Sequence, residues 1–146
     1  MYNNIIKDIQ FSWERALDFN GETGPYVQYA HARACSVLRK AGIEVDNIPN
    51  FEVDYTVLAD ESTVALIKEI ADFKATIREA GNKYEPSYIA RYAVDVTQAF
   101  NKFYNENPIL VEDEKVKNSR LAIVAATKYT LKNALALLGI SAPVQM

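Results

Sequence analysis

Gly21-Glu-Thr-Gly-Pro-Tyr-Val-Gln-Tyr-Ala-His-Ala-Arg33 reads as a glycine-bearing turn that runs straight into a helix. Pro25 stands in the first helical turn, where the amide N–H has no intrahelical partner and is not missed. From Pro25 to Ala41 nothing breaks the helix, and Gly42 supplies its stop. Tyr26, Tyr29 (or Ala30), Arg33 and Val37 recur every three or four residues and so share one face. That face carries two tyrosines, an arginine and no acid.

The helical period continues almost throughout the chain. Residues 1–20 hold a mixed segment and a short helix at Ser12–Leu17, with Ser12 as its cap. Residues 42–60 read as an extended loop, and the alternating Phe51, Val53 and Tyr55 leave a brief strand as the alternative. A second helix starts near Ser62 with Val64, Ile67 and Ile70. It bends near Asp72 and continues through Phe73 and Ile77 to a stop at Gly81. A third opens at Glu85-Pro86, with the stripe Ile89, Ala93, Val96, Phe100 and Phe103. After an acidic loop at 109–114, the last helix starts near Asn118. It carries Leu121, Val124, Leu131, Leu135 and Leu138 and stops at Gly139. Four to five amphipathic helices with short links predict an all-α helical bundle.

The 146 residues suit one domain with a sizeable core. No apolar run reaches membrane-spanning length, and residues 1–20 lack the basic start and apolar block of a secretory signal. Cys35 is the only cysteine, so no internal disulfide forms. A reducing compartment fits, and Cys35 reads as a small core residue.

The net charge of −3 hides a strong pattern. Residues 25–42 carry Arg33, Arg39 and Lys40 without an acid, for +3. Residues 115–146 carry Lys115, Lys117, Arg120, Lys128 and Lys132 without an acid, for +5. Residues 43–72 sum to −7. If the first and last helices lie side by side, they form a positive surface on an acidic protein.

A catalytic constellation is missing. His31 is the only histidine and lies between two alanines, which suits a structural or surface residue better than a base. One Cys and one His do not supply a zinc site. Glu112, Asp113 and Glu114 lack calcium-loop spacing, and Gly21-x-x-Gly24 lacks the third glycine of a dinucleotide turn. Nine tyrosines exceed what a small helical core needs, and buried hydroxyls need partners, so several belong at half-exposed positions. Tyr92 and Tyr129 lie near apolar stripes and are expected in the core. Tyr104 follows Phe103, which belongs to the core stripe, and so tilts toward solvent. Tyrosine rings beside a guanidinium suit an unstacked base next to a phosphate.

The Gly21–Arg33 string, Glu85-Pro-Ser-Tyr-Ile-Ala-Arg-Tyr92, Ala99-Phe-Asn-Lys-Phe-Tyr104 and the ending Asn133-Ala-Leu-Ala-Leu-Leu-Gly-Ile-Ser-Ala-Pro-Val-Gln-Met146 lie in order across the chain. Together they resemble the C-terminal, DALR-type anticodon-binding domain of arginyl-tRNA synthetases. The resemblance implies a bundle of the class I synthetase type at 21–146, gripping the anticodon stem-loop of an arginine tRNA. It places anticodon contacts on Tyr29, Arg33, Tyr104 and Met146. Stacking is implied for the tyrosines, phosphate or base-edge contact for Arg33, and polar contact through the terminal backbone and carboxylate for Met146.

The His-x-Gly-His-type and Lys-Met-Ser-Lys-type signatures of the family's catalytic domain do not occur here. Residues 1–20 resemble the short segment that joins the catalytic domain to this bundle in the same polypeptide, and the resemblance implies that they are that connector. ATP, with magnesium, is implied for the parent ligase and no cofactor for this fragment, which is expected to be inactive alone. A cytoplasmic location follows, with neither membrane nor DNA as partner. From the residues alone, a helical protein–protein interaction or oligomerisation domain that uses the tyrosine-rich face remains open.

Overall fold

The computed structural model describes Ser12, Trp13, Gly21 and residues 23–146. Apart from Ser12 and Trp13, the expected connector at 1–20 and its short helix lie outside the described residues. Five helices follow: α1 (Gly24–Lys40), α2 (Glu61–Ala71), α3 (Phe73–Lys83), α4 (Ser87–Glu106) and α5 (Glu114–Leu137). A single 3₁₀ turn at Tyr55–Leu58 interrupts the α1–α2 link, and no strand occurs among the described residues.

α1 starts and stops by local chemistry. The Thr23 hydroxyl accepts from the Tyr26 amide at 3.4 Å, and Pro25 sits in the first turn. At the other end Gly42 takes φ 77°, and the Ile43 amide reaches back to the Leu38 carbonyl at 3.0 Å. α4 is the hub and packs on α1, α2, α3 and α5. Its expected stripe of Ile89, Ala93, Val96, Phe100 and Phe103 is buried throughout. α1 and α5 pack most extensively, in opposed directions, so that Gly24 meets Ile140 just beyond the end of α5.

The loop at 42–60 lies back along α5 and forms no strand. A strand needs a neighbour to pair with, and none is offered. Ile43, Val45, Ile48, Phe51 and Val53 instead pack half-buried on the core. Lys128 Nζ donates to the Val45 carbonyl at 2.7 Å, and the Asp54 amide donates to Ser119 Oγ at 2.9 Å.

Several sequence expectations change. α2 buries Ser62, Thr63 and Leu66, while Ile67 is exposed and Val64 and Ile70 are half-buried. The buried Ser62 hydroxyl is tolerated because it donates to Asp60 at 2.8 Å and accepts from Asn107 at 2.9 Å. Gly81 does not stop α3. The helix runs on to Lys83, and Tyr84 takes the left-handed terminal position at φ 55°. α5 begins at Glu114 because the Asp113 carboxylate accepts from the amides of Lys115 and Val116. Tyr129 is exposed, not core, and the neighbouring Lys128 is buried in its place.

Candidate nucleic-acid interface

Two depressions of similar size lie on the described surface, and their charge separates them. One of about 480 Å³ is lined by Glu52, Asp54, Tyr55, Glu114 and Lys115 among others. Three acids against one lysine repel a polyanion. The other, of about 400 Å³, is lined by Tyr29, Ala32, Arg33, Ser36, Arg39, Lys40, Tyr104, Gln145 and Met146. Its lining side chains include three cations and no acid.

The structure brings Tyr29, Arg33, Tyr104 and Met146 together in this second depression. Tyr29 and Arg33 are four apart on α1, so their side chains stack along one face. The Arg33 guanidinium lies 4.9 Å from the Tyr29 ring centroid and 5.1 Å from that of Tyr104, at the end of α4. At these distances each ring attracts the cation. Tyr29 is 46% exposed, Tyr104 36% and Met146 55%, so all three are open to a ligand. The Phe100 ring, fully buried, stands 6.2 Å from the Tyr104 ring and ties its position to the core.

Asn101, on α4 one turn before Tyr104, was not singled out from the sequence. Arg33 Nη1 donates to Asn101 Oδ1 at 2.8 Å, and Asn101 Nδ2 donates to the Tyr26 hydroxyl at 3.1 Å. The guanidinium is thus oriented by a hydrogen-bonded bridge between α1 and α4. Tyr26 serves that bridge rather than the depression. The only local signal was that Asn101 lies within the Phe-Asn-Lys-Phe-Tyr string.

Met146 reaches the site because α1 holds the chain that leads to it. Gln28 Nε2 donates to the Ser141 carbonyl at 2.8 Å, and Arg39 Nη1 donates to the Val144 carbonyl at 2.9 Å. Between them His31 Nδ1 lies 2.9 Å from the Pro143 carbonyl. A carbonyl only accepts, so Nδ1 carries the proton. His31 is buried, as is Cys35 one turn further on. Burial pushes the His31 pKa below its ordinary value, aided by Lys128 and Lys132 and opposed by the Pro143 hydrogen bond. Burial likewise pushes the Cys35 thiol up. Cys35 lies in the core, as the sequence suggested, and His31 is buried beside it rather than on the surface.

The expected shared positive surface is narrower than the charge count implied. α1 and α5 do lie side by side, but the cations of the depression all come from α1. Lys128 points its ammonium at the Val45 carbonyl and lies 4.3 Å from the Tyr129 ring, fully buried. Lys117 pairs with Glu114, and Arg120 donates to the Pro108 carbonyl. Among the described residues no cluster of His, Cys, Asp and Glu could hold a metal ion, and no helix is long and apolar enough to cross a membrane.

The chain is similar in sequence and in fold to known proteins. An arginine–tRNA ligase of Clostridioides difficile strain 630 is 53% identical over 144 residues, covering 99% of this chain and 25% of that protein. One from Halothermothrix orenii is 47% identical over 146 residues, covering 100% of this chain and 25% of that protein. Among solved structures, Thermus thermophilus arginyl-tRNA synthetase aligns with a TM-score of 0.83 at 37% identity, over 96% of this chain and 24% of that one. The Plasmodium falciparum arginyl-tRNA synthetase aligns with a TM-score of 0.81 at 28% identity, over the same shares. The chain spans about a quarter of the length of the curated relatives it matches. Residues 27–146 match the family described as the DALR anticodon binding domain, and the chain belongs to that family.

Proposed function

We propose that this chain reads the anticodon stem-loop of an arginine tRNA, as the RNA-recognition part of an arginine–tRNA ligase. The observation that carries the reading is the depression without acidic side chains in which one guanidinium lies against two exposed tyrosines. Single-stranded RNA loops are read by unstacked bases on aromatic rings, with cations on the phosphates. Tyr29 and Tyr104 supply stacking surfaces. Each ring already holds the Arg33 guanidinium, so an entering base takes an open ring face or moves Arg33 toward a phosphate. Met146 gives the depression an adaptable apolar and backbone wall, and Arg39 and Lys40 meet the flanking phosphates.

The longer protein that this reading implies joins arginine to its tRNA using ATP, with magnesium, in a catalytic domain of the same polypeptide. Residues 1–20 connect the two parts. The protein works in the cytoplasm, and this portion alone, without the catalytic domain, does not charge tRNA. Binding to membrane or DNA forms no part of the role.

The test is a titration of the 146-residue chain with an arginine tRNA at two salt concentrations. Phosphate contacts release counterions, so affinity falls steeply as salt rises. Tyr29→Ala and Tyr104→Ala each weaken binding by about 1–3 kcal/mol, the range for one stacked base. Absence of binding even at low salt would overturn the reading and favour a protein-interaction domain.

A further inference from the structure

His31 is the one histidine of the chain, and no base or phosphate in the reading above needs it. It is nonetheless placed with care. The ring is 1% exposed, Nδ1 donates to the Pro143 carbonyl, and Nε2 lies 3.8 Å from Cys35 Sγ. The segment it holds, Ser141–Met146, has no helix or strand of its own. Three side-chain hydrogen bonds, from Gln28, His31 and Arg39, tie it to α1, and Ala142 packs half-buried on the core. The His31 bond is the central one and the only one of the three made by a buried side chain. Gln145 and Met146, at the end of that segment, form one wall of the depression.

We infer that His31 is a positioning residue for the site: in its neutral form it seats segment 141–146 on α1 so that Met146 closes the depression, and protonation of its ring releases the segment. The inference rests on the anticodon reading only for its effect on RNA. The seating itself is a property of this chain.

Protonation at Nε2 places a cation where no water reaches it, facing a thiol that accepts hydrogen bonds weakly. The charged groups that act on the ring are Lys128 and Lys132 of α5, both cations. Arg39 of α1, which bonds the next residue of the segment at Val144, is a third cation nearby. α1 and α5 are fixed by core packing. The irregular segment is the cover that can lift, and lifting it hydrates the imidazolium. The Pro143 bond by itself favours the charged ring, but the burial that disfavours it weighs more. The ring's affinity for a proton is lower when seated than when free. The seated state is therefore fully favoured above the ordinary histidine value and is lost as pH falls through the lowered one.

The chain has two methionines, Met1 and Met146, so a protein labelled with ¹³C only on methionine methyls gives two NMR signals. Met146→Leu assigns them. We expect the Met146 methyl to hold its seated position above about pH 6.5, the ordinary histidine value, and to move toward the position of free methionine as pH falls below it. The helical circular dichroism should stay unchanged. In His31→Asn, whose amide can donate to Pro143 but gains no charge, the signal should hold its seated position over the same range. A wild-type methyl that stays seated throughout would overturn the inference, as would a His31→Asn signal that moves like the wild type. Arginine-tRNA affinity, read in parallel, should fall over this pH range in the wild type and remain flat in His31→Asn. If the methyl titrates but no tRNA binds at any pH, the seating stands and the anticodon reading fails.

Discussion

Replacing Asn101 by alanine tests how far the site depends on a residue that touches no RNA in the account. Asn101 accepts from Arg33 at 2.8 Å and donates to the Tyr26 hydroxyl at 3.1 Å. A hydrogen bond from a charged donor is worth about 1.5–3 kcal/mol, and the half-exposed setting puts this one near the lower end. Its removal leaves the guanidinium against the two tyrosine rings, which still restrain it by about 0.5–1 kcal/mol each. The expected net cost to tRNA binding is therefore about 1 kcal/mol, close to a fivefold rise in Kd. Because the effect acts through Arg33, it should shrink below about 0.5 kcal/mol when Arg33 is already alanine. The assay is a double-mutant cycle on tRNA affinity, with melting temperatures to confirm folding. Additive losses for Asn101→Ala and Arg33→Ala would refute the argument, because the asparagine would then be acting independently of the arginine.

Three further predictions concern the frame. Phe100→Ala, at a fully buried position on α4, should cost about 3–5 kcal/mol of stability by denaturant unfolding; a loss under about 1 kcal/mol would show that α4 is not the hub. Lys128→Met should change global stability little, since losing the bond to Val45 is offset by no longer burying a charge. It should speed amide exchange at residues 43–54, and unchanged exchange there would count against the lysine as the fastener of that loop. Burial pushes the Asp60 carboxyl up, but hydrogen bonds from Thr63, Ser62 and Asn107 outweigh it and hold its pKa at about 2. With the unfolded value near 3.9, its contribution is present above about pH 4 and lost as pH falls toward about 2. Asp60→Ala should flatten that part of the acid-unfolding curve, and an unaltered slope would refute the assignment.

Where side chains follow a period, the sequence was legible. All five residues of the α4 stripe are buried because apolar residues at helical spacing define a face, and Ala90, Tyr92, Val94 and Thr97 widen it. α2 was misread because it has apolar residues on two faces, and the buried one includes Ser62 and Thr63. The buried Ser62 hydroxyl is satisfied by Asp60, two residues before it, and by Asn107, 45 residues away. Gly81 failed as a stop because glycine also takes helical dihedrals, at a cost of about 1 kcal/mol relative to alanine, and the left-handed terminal position falls on Tyr84. The acids at 112–114 read as loop because Asp113 as a cap is recognised only once the helix start is known.

Lys128 counted as surface charge because burial of a lysine depends on a carbonyl 83 residues distant. The four site residues came from motif resemblance, and folding places them in one depression. Their supports did not come from the sequence. Asn101 lies 68 residues from Arg33, and the α1 side chains reach the C-terminal segment across 105 to 113 residues. Such contacts leave no local period to read.

The central claim is that the depression around Arg33 distinguishes anticodons. It is tested most directly by titrating the chain with an arginine tRNA and with the same tRNA carrying a changed anticodon, at one moderate salt concentration. The account predicts tighter binding of the unaltered tRNA by about 1–3 kcal/mol, a preference that Tyr29→Ala and Tyr104→Ala reduce. Equal affinity for the two tRNAs, with no response to either substitution, would contradict it.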